Sequence, residues 1–280
     1  MTSNTFSSPT NFFDDGFSIT ATEPWFKVKV QLIQNYLFSF VTNAVSRVDE
    51  IVVVDLFAGS GLYSLGHQKE IFAGTCLASL QSSLPINKWV FCESNAEQAK
   101  ALKIRVNKYF REKNVLILDA EKEALVDKLR LYIPASKSSY KVAVCCLVDP
   151  FSLDVSFSLL GKLASMGYSF IVPFTFSLNE RHDYQYYIKE NAELLRKFMG
   201  SDASRLQSSQ TNFHFYKSLV KGFQQSMLMQ GLNGSLSVHK LNSKLMDVPM
   251  FYIGYFSRQI SPKLIHHDVN AVEQVQFQLF

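Results

Sequence analysis

The chain has 280 residues, 47% of them hydrophobic, with a formal charge of +4 and a pI near 8.7. That is enough apolar material for a full core in one large domain or in two small ones, and the mild basic excess permits a nucleic-acid or acidic partner without arguing for one. No stretch approaches the ~18 consecutive apolar residues of a membrane span, and the opening "MTSNTFSSPTNFFDDG" has neither the basic nor the apolar region of a secretory signal.

Residues 1–24 are rich in Ser, Thr and Asn and read as a loose arm. From there Trp25, Val28, Leu32, Tyr36 and Phe40 recur at three- and four-residue intervals, which predicts a helix, with Thr22 and Pro24 as its start signal. The runs "IVVVDLF" (51–57), "WVFCE" (89–93), "VLILD" (115–119), "AVCCLVD" (143–149) and "SFIVPFTF" (169–176) are continuously apolar, as strands buried on both faces must be. Helical patterns at 75–84, 95–113, 121–133 and 156–166 fall between them. Strands alternating with helices predict a parallel sheet covered on both faces. A helical insertion rich in Tyr and charge follows over 177–230. The last two strands, "LSVHKLN" (236–242) and "MFYIGYFS" (250–257), lie too close for a crossover helix and should pair antiparallel. The prediction is one α/β domain over 25–260: a Rossmann-like, mostly parallel seven-stranded sheet in the element order of a class I methyltransferase, with 261–280 as a tail.

Cys76, Cys92, Cys145 and Cys146 lack metal-ligand spacing, and three lie in strand-like runs. They read as buried thiols in a reducing compartment, and the chain as cytoplasmic. Many of the 24 Phe residues should be core; the excess points only weakly to a sticky surface.

The stretch "VVVDLFAGSGLYSLG" (52–66) carries the chemistry. Asp55 ends the first buried strand, where open α/β sheets bind ligands. Gly59 and Gly61 allow a tight turn and a close approach, and a helix should follow with its N–H groups aimed at an anion. The dinucleotide fingerprint fits poorly: Ser64 stands where a third glycine belongs, and the next strand-end acid, Glu93, comes 38 residues after Asp55. The loop and the acids suit S-adenosylmethionine (SAM) better. The glycines would face the methionine portion, Glu93 would take both ribose hydroxyls, and Asp119 would accept from the adenine amino group. A fourth acid, Asp149, ends the fourth strand, followed by Pro150 and Phe151. Amino-group methyltransferases carry a related (D/N)-P-P-(Y/F) element there. This chain has one proline and its aromatic comes a place early, so a Pro-fixed turn with Phe151 packed inward is an equal reading.

With these segments in view, the chain resembles the three-Cys-motif partner (TcmP) family, whose members have a class I methyltransferase-like fold. The resemblance runs from Trp25 to Phe256. It rests on an opening helix with Lys29 ahead of Tyr36 and Leu37, and on "DLFAGSGLYSLG", "GTCLASL", "FCESN", "LDAEKEAL", "LVDPFS" and the closing "YIGYFS". The chain departs from the family at Ser60, where a proline is common, and at Ser152, where a glycine is common; Asn179 comes later than the family's Asn-containing stretch. The resemblance implies SAM as cofactor, with Lys29, Asp55, Phe57, Ala58, Gly59, Gly61, Glu93, Ser94, Asp119 and Ala120 around it. It places Asp149, Pro150 and Phe151 at the transfer position, and the family's name implies a protein partner.

Weaker candidates remain. The "HHD" at His266 to Asp268 could bind a metal but has no other ligands nearby. Arg181, His182, Asp183, Tyr184 and Tyr187 could form a lid or a base-stacking platform, or simply start a solvated helix. No G-x-S-x-G elbow supports a hydrolase. Two functions are therefore expected: a SAM-dependent methyltransferase acting on a nucleic acid or another macromolecule, or a catalytically silent module that keeps the fold to serve a protein partner.

Overall fold

The computed structural model describes residues 11–66, 70–119, 122–150, 155–178, 184–200, 211–241 and 248–277, with Leu153, Leu206 and Ser209. Contacts divide the chain into two compact units, Met1–Leu147 with Ala271–Phe280, and Val148–Asn270.

The first unit holds strands β1 (Thr20–Thr22), β2 (Glu50–Asp55), β3 (Leu62–Leu65), β4 (Glu70–Ala73), β5 (Lys88–Cys92), β6 (Val115–Leu118) and β7 (Val142–Leu147). Its helices are α1 (Trp25–Ala44), α2 (Thr75–Gln81), α3 (Ala96–Tyr109) and α4 (Lys122–Tyr132). The Val- and Cys-rich runs became the central strands: β7 is buried along its whole length, and β2 at every residue but Glu50. This is the signature of a sheet covered on both faces. β2 pairs in parallel with β5 and β7, and β5 with β6. Helix α1 turns one face inward, with Phe26, Val30, Ile33, Leu37, Phe40, Val41 and Ala44 buried at helical spacing.

The second unit holds α5 (Phe157–Ser165), β8 (Ser169–Phe174), α6 (Ala192–Met199), α7 (Asn212–Met229), β9 (Asn233–Lys240), β10 (Met250–Ser257) and most of α8 (Pro262–Phe277). β10 pairs antiparallel with β9, as the short connection required, and antiparallel with β8 on its other side. Its core is aromatic. Phe223 is fully buried and meets the rings of Phe157, Phe174, Phe198 and Phe256 at centroid distances of 5.7, 5.2, 4.9 and 5.8 Å. The Tyr216 hydroxyl donates to the Phe174 carbonyl and accepts from the Tyr252 N–H at 3.2 Å. In strand pairing the sheet runs β6-β5-β2-β7-β8-β10-β9, the seven-stranded, mostly parallel class I methyltransferase order.

Three expectations need correction. Residues 11–24 are not a loose arm: β1 pairs in parallel with β3, and Phe12 is buried with its ring edge-on to Tyr109 at 5.2 Å. No helix follows the glycine loop directly; the antiparallel hairpin β3–β4 comes first, and α2 starts only at Thr75. The segment read as a tail contains α8, which buries Ile265 and Val269 at helical spacing. The four cysteines are free and buried, as expected. Among the described residues no helix is long and apolar enough to cross a membrane.

Candidate functional site

The loop after β2 is built from its first acid onward. Asp55 is 3% exposed, and its Oδ1 accepts the Phe57 N–H at 3.0 Å, closing a turn at the strand end. The Ala58 N–H donates to the Cys92 carbonyl at 3.1 Å, tying the loop to the end of β5. Gly59 and Gly61 both sit at positive φ, +62° and +84°. A Cβ on Gly61 would lie 2.8 Å from Leu77 and 2.9 Å from Leu102, so position 61 needs glycine for space as well as for conformation.

The hairpin is an excursion that returns to its origin. The Gly74 N–H donates to the Gly61 carbonyl at 2.8 Å, and the Cys76 thiol to the Ala58 carbonyl at 3.3 Å. The start of α2 therefore stands beside the glycine loop although twelve residues intervene. Burial, with the Asp55 charge behind it, pushes the Cys76 and Cys92 thiols up, so neither is a ready nucleophile. Tyr63 of β3 lies on Phe26 at a ring separation of 4.1 Å. Its hydroxyl and Gln98 Oε1 each stand 3.6 Å from where a Gly59 Cβ would be, ordinary contact distance, so Gly59 is set by its positive φ rather than by lack of space.

Glu93, one residue past β5, is half-buried. Its Oε2 accepts the Gly59 N–H at 2.9 Å and its Oε1 the Asn95 N–H at 2.7 Å. Asn95 in turn caps α3 by accepting the Gln98 N–H at 3.0 Å. The "ESN" triplet thus links the strand end, the glycine loop and the next helix. A carboxylate has about four lone-pair sites, so each Glu93 oxygen keeps one after these two bonds, the number a vicinal diol would use. Asp119 lies in the same position after β6 with an exposed side chain, and its carbonyl accepts from Lys128 Nζ at 2.9 Å. Register places Asp55, Glu93 and Asp119 at the carboxyl ends of three adjacent parallel strands. Strand order reverses at β2, between β5 and β7, and open α/β sheets bind ligands at such a switch point. The strand-end carboxylates and the positive-φ loop between them are a donor and acceptor set that fits SAM.

Of the other residues singled out from sequence, Phe57 is half-buried, Ala58 buried and Ser94 exposed. Lys29 is 3% exposed on α1, its Nζ 3.7 Å from the centre of the Phe26 ring, a cation–π contact. Ala120 and Phe151 lie outside the described residues, as do Arg181, His182 and Asp183. In the second unit Asp149 is half-buried and Pro150 buried. The preceding Val148 N–H donates to the Ile171 carbonyl at 2.9 Å, so extended pairing continues to the residue before Asp149. Tyr187 is not a surface platform: it is 3% exposed and parallel to the Phe215 ring at 6.0 Å, and burial pushes its phenol up to about 12. His266 Nδ1 is 2.7 Å from Ser237 Oγ, and the described residues hold no group of three potential metal ligands.

Sequence reasoning missed Arg105 and Asp15. Arg105 is fully buried on α3 and hydrogen-bonds both the Asp15 carboxylate and the Ser60 carbonyl of the glycine loop. A signal existed: Arg105 falls in the helix stripe with Ala99, Leu102 and Val106, where a charge is out of place.

No protein-family model and no curated protein matches the chain. Among solved structures, a Legionella pneumophila protein of family DUF519 is similar at 11% identity and a TM-score of 0.53, over 87% of this chain and 91% of that one. An rRNA methylase of Streptococcus thermophilus is similar at 12% identity and a TM-score of 0.38, over 80% and 95% of the two chains. For a Bacillus cereus O-methyltransferase in complex with SAH the values are 6%, 0.42, 80% and 81%. The first likeness is one of fold.

Proposed function

We propose that the chain binds SAM at the strand ends of its first unit and transfers its methyl group to a nucleic acid or another macromolecule. The observation that carries the reading is Glu93, held by the Gly59 and Asn95 N–H groups with one lone pair left on each oxygen. Glu93 would hold the ribose diol, Asp119 the adenine amino group, and the backbone of Phe57, Ala58, Gly59 and Gly61 the methionine portion, with Lys29, Ser94 and Ala120 flanking it. Asp55 shapes the loop from below. SAM supplies an electrophilic methyl on a sulfonium. Asp149 would accept a hydrogen bond from the acceptor's N–H or O–H and orient its lone pair, with Pro150 and Phe151 beside it; catalysis on this reading is positioning. The kinship with the three-Cys-motif partner family belongs to the same proposal and rests on the quoted segments.

The competing reading is a silent module serving a protein partner, favoured by the single proline and by Ser152 after Phe151. Calorimetry and label transfer separate the two. We expect wild type to bind SAM and its demethylated product SAH, and Glu93→Ala to weaken both by about 1.5–3 kcal/mol, the range for hydrogen bonds to a charged group. Binding unchanged in Glu93→Ala would refute the site. Methyl transfer from labelled SAM into cell-extract macromolecules, lowered about 100-fold in Asp149→Ala at near-constant SAM affinity, supports the enzyme. No transfer by wild type supports the module.

A further inference from the structure

A fully buried charge with four hydrogen bonds lies beneath the glycine loop, outside the cofactor contacts assigned above. The Arg105 guanidinium is fully enclosed. Nε and Nη2 donate to the two oxygens of Asp15 at 2.9 and 2.7 Å, and Nη1 donates to the carbonyls of Ser18 at 2.9 Å and Ser60 at 2.7 Å. This is a bidentate arginine–carboxylate fork with two backbone oxygens added. The Arg105 hydrogen bond holds the Asp15 carboxyl below its ordinary range, which favours the carboxylate beside the guanidinium. Asp15 is only 12% exposed and also accepts the Phe17 N–H at 3.2 Å.

Ser60 lies between two glycines at positive φ, where sterics alone leave the direction of its carbonyl open. Arg105 fixes that direction from inside, and Asp15 fixes Arg105. The segment bearing Asp15 is itself anchored on both sides of the loop. Phe12 packs on Tyr109 of α3, and β1 pairs with β3 directly after Gly61. The strap, the arginine and the loop carbonyl thus form one connected set drawn from residues about 90 positions apart in the chain.

We propose that Arg105 is a positioning residue for the cofactor loop, and that the N-terminal strap, through Asp15, is part of the cofactor site. The proposal rests on the reading of the Gly59–Gly61 loop as the SAM site. With the Asp15 charge in place, the guanidinium presents Nη1 to the Ser60 carbonyl and the loop is held ready. Without it, the enclosed cation has lost its counter-charge and moves toward water. The loop then spends part of its time in conformations that do not bind, and apparent affinity falls by the fraction that remains competent.

The test uses the full chain with two readouts: SAH affinity by calorimetry, and hydrogen exchange of the amides at 58–62 in the ligand-free protein. Asp15→Asn, which keeps shape and removes charge, should weaken SAH binding about tenfold and speed exchange at 58–62 by a similar factor. Asp15→Glu should recover most of both. Leu129→Ala, a fully buried core truncation on α4, is the control: it lowers stability and should move neither readout. Wild-type exchange and affinity in Asp15→Asn would overturn the proposal, and so would faster exchange with unchanged affinity. Equal changes in Leu129→Ala would reduce Asp15 to general stability and overturn it too. A wild type that binds neither SAM nor SAH refutes the cofactor reading instead, and exchange at 58–62 then still decides whether the strap positions the loop.

Discussion

Around Gly59 and Gly61 the chain is held by hydrogen bonds to backbone atoms, while the centre of the second unit is held ring against ring. The loop takes its shape from Asp55, Glu93 and Arg105, each bonded to a loop N–H or carbonyl. The second core takes its shape from Phe223 and the four rings around it. Hydrogen bonds fix direction and contribute modest net stability each, about 1.5–3 kcal/mol even to a charged group, whereas aromatic burial contributes much stability and little direction. On the proposed reading, the region that presents atoms to SAM uses the first, and the second unit is held by the second.

The largest expected effect breaks the aromatic side of that contrast. Phe223→Ala removes a ring with no exposed surface and should cost about 3–5 kcal/mol in urea unfolding, with SAM affinity retained wherever the protein is folded. A cost under about 1 kcal/mol would show that the rings can collapse into the gap and are not the main support.

The next effect concerns a histidine of the second unit that burial shifts strongly. Burial, with His266 nearby, pushes His239 down to about 4 from 6.5. Between these values the unfolded chain holds a proton that the folded one does not. Stability from this group is therefore complete above about pH 6.5 and falls as pH drops toward 4, by on the order of 2–3 kcal/mol. His239→Val should flatten that part of the profile, measured by unfolding at pH 4.5, 5.5 and 7; an unchanged slope would assign the loss to other groups.

The smallest effect, that of Lys27→Ala, is sharpest when set against the loss of Asp15, which equals the largest. Lys27 and Glu70 pair at 2.6 Å, as short as the 2.7 Å Arg105–Asp15 contact, but their side chains are 40% and 63% exposed against 0% and 12%. Lys27→Ala should change stability by no more than about 0.5 kcal/mol, while removing Asp15 leaves a buried charge unpaired, a change of about 3–5 kcal/mol. Parallel melts of the two variants test whether burial, not distance, sets the worth of a polar contact here.

What was legible in the sequence was what local pattern encodes. The five apolar runs became strands because a strand buried on both faces has no polar alternation to hide it. The acids at their ends followed, since Glu93 and Asp119 directly succeed Cys92 and Leu118. The hairpin was missed because β3 and β4 are four residues each and only partly buried, and the first Gly-rich turn resembled a helix start. Helix α8 was missed because polar residues at 266–268 separate Ile265 from Val269. The strap was invisible for a deeper reason: nothing near Asp15 marks it as the counter-charge of an arginine 90 residues later. A polar partner at long range leaves no period, only an anomaly at the other end, the arginine in an apolar stripe.

The strap also sets an order of events during synthesis. Asp15 leaves the ribosome early, yet its partner lies on α3 and its pairing strand follows Gly61. Contacts so distant in sequence form late, after the loop between them has been closed. A stretch made before its partners is therefore among the last to reach its place, and a chain halted before residue 105 would carry it without its arginine, with the apolar side of Phe12 in water.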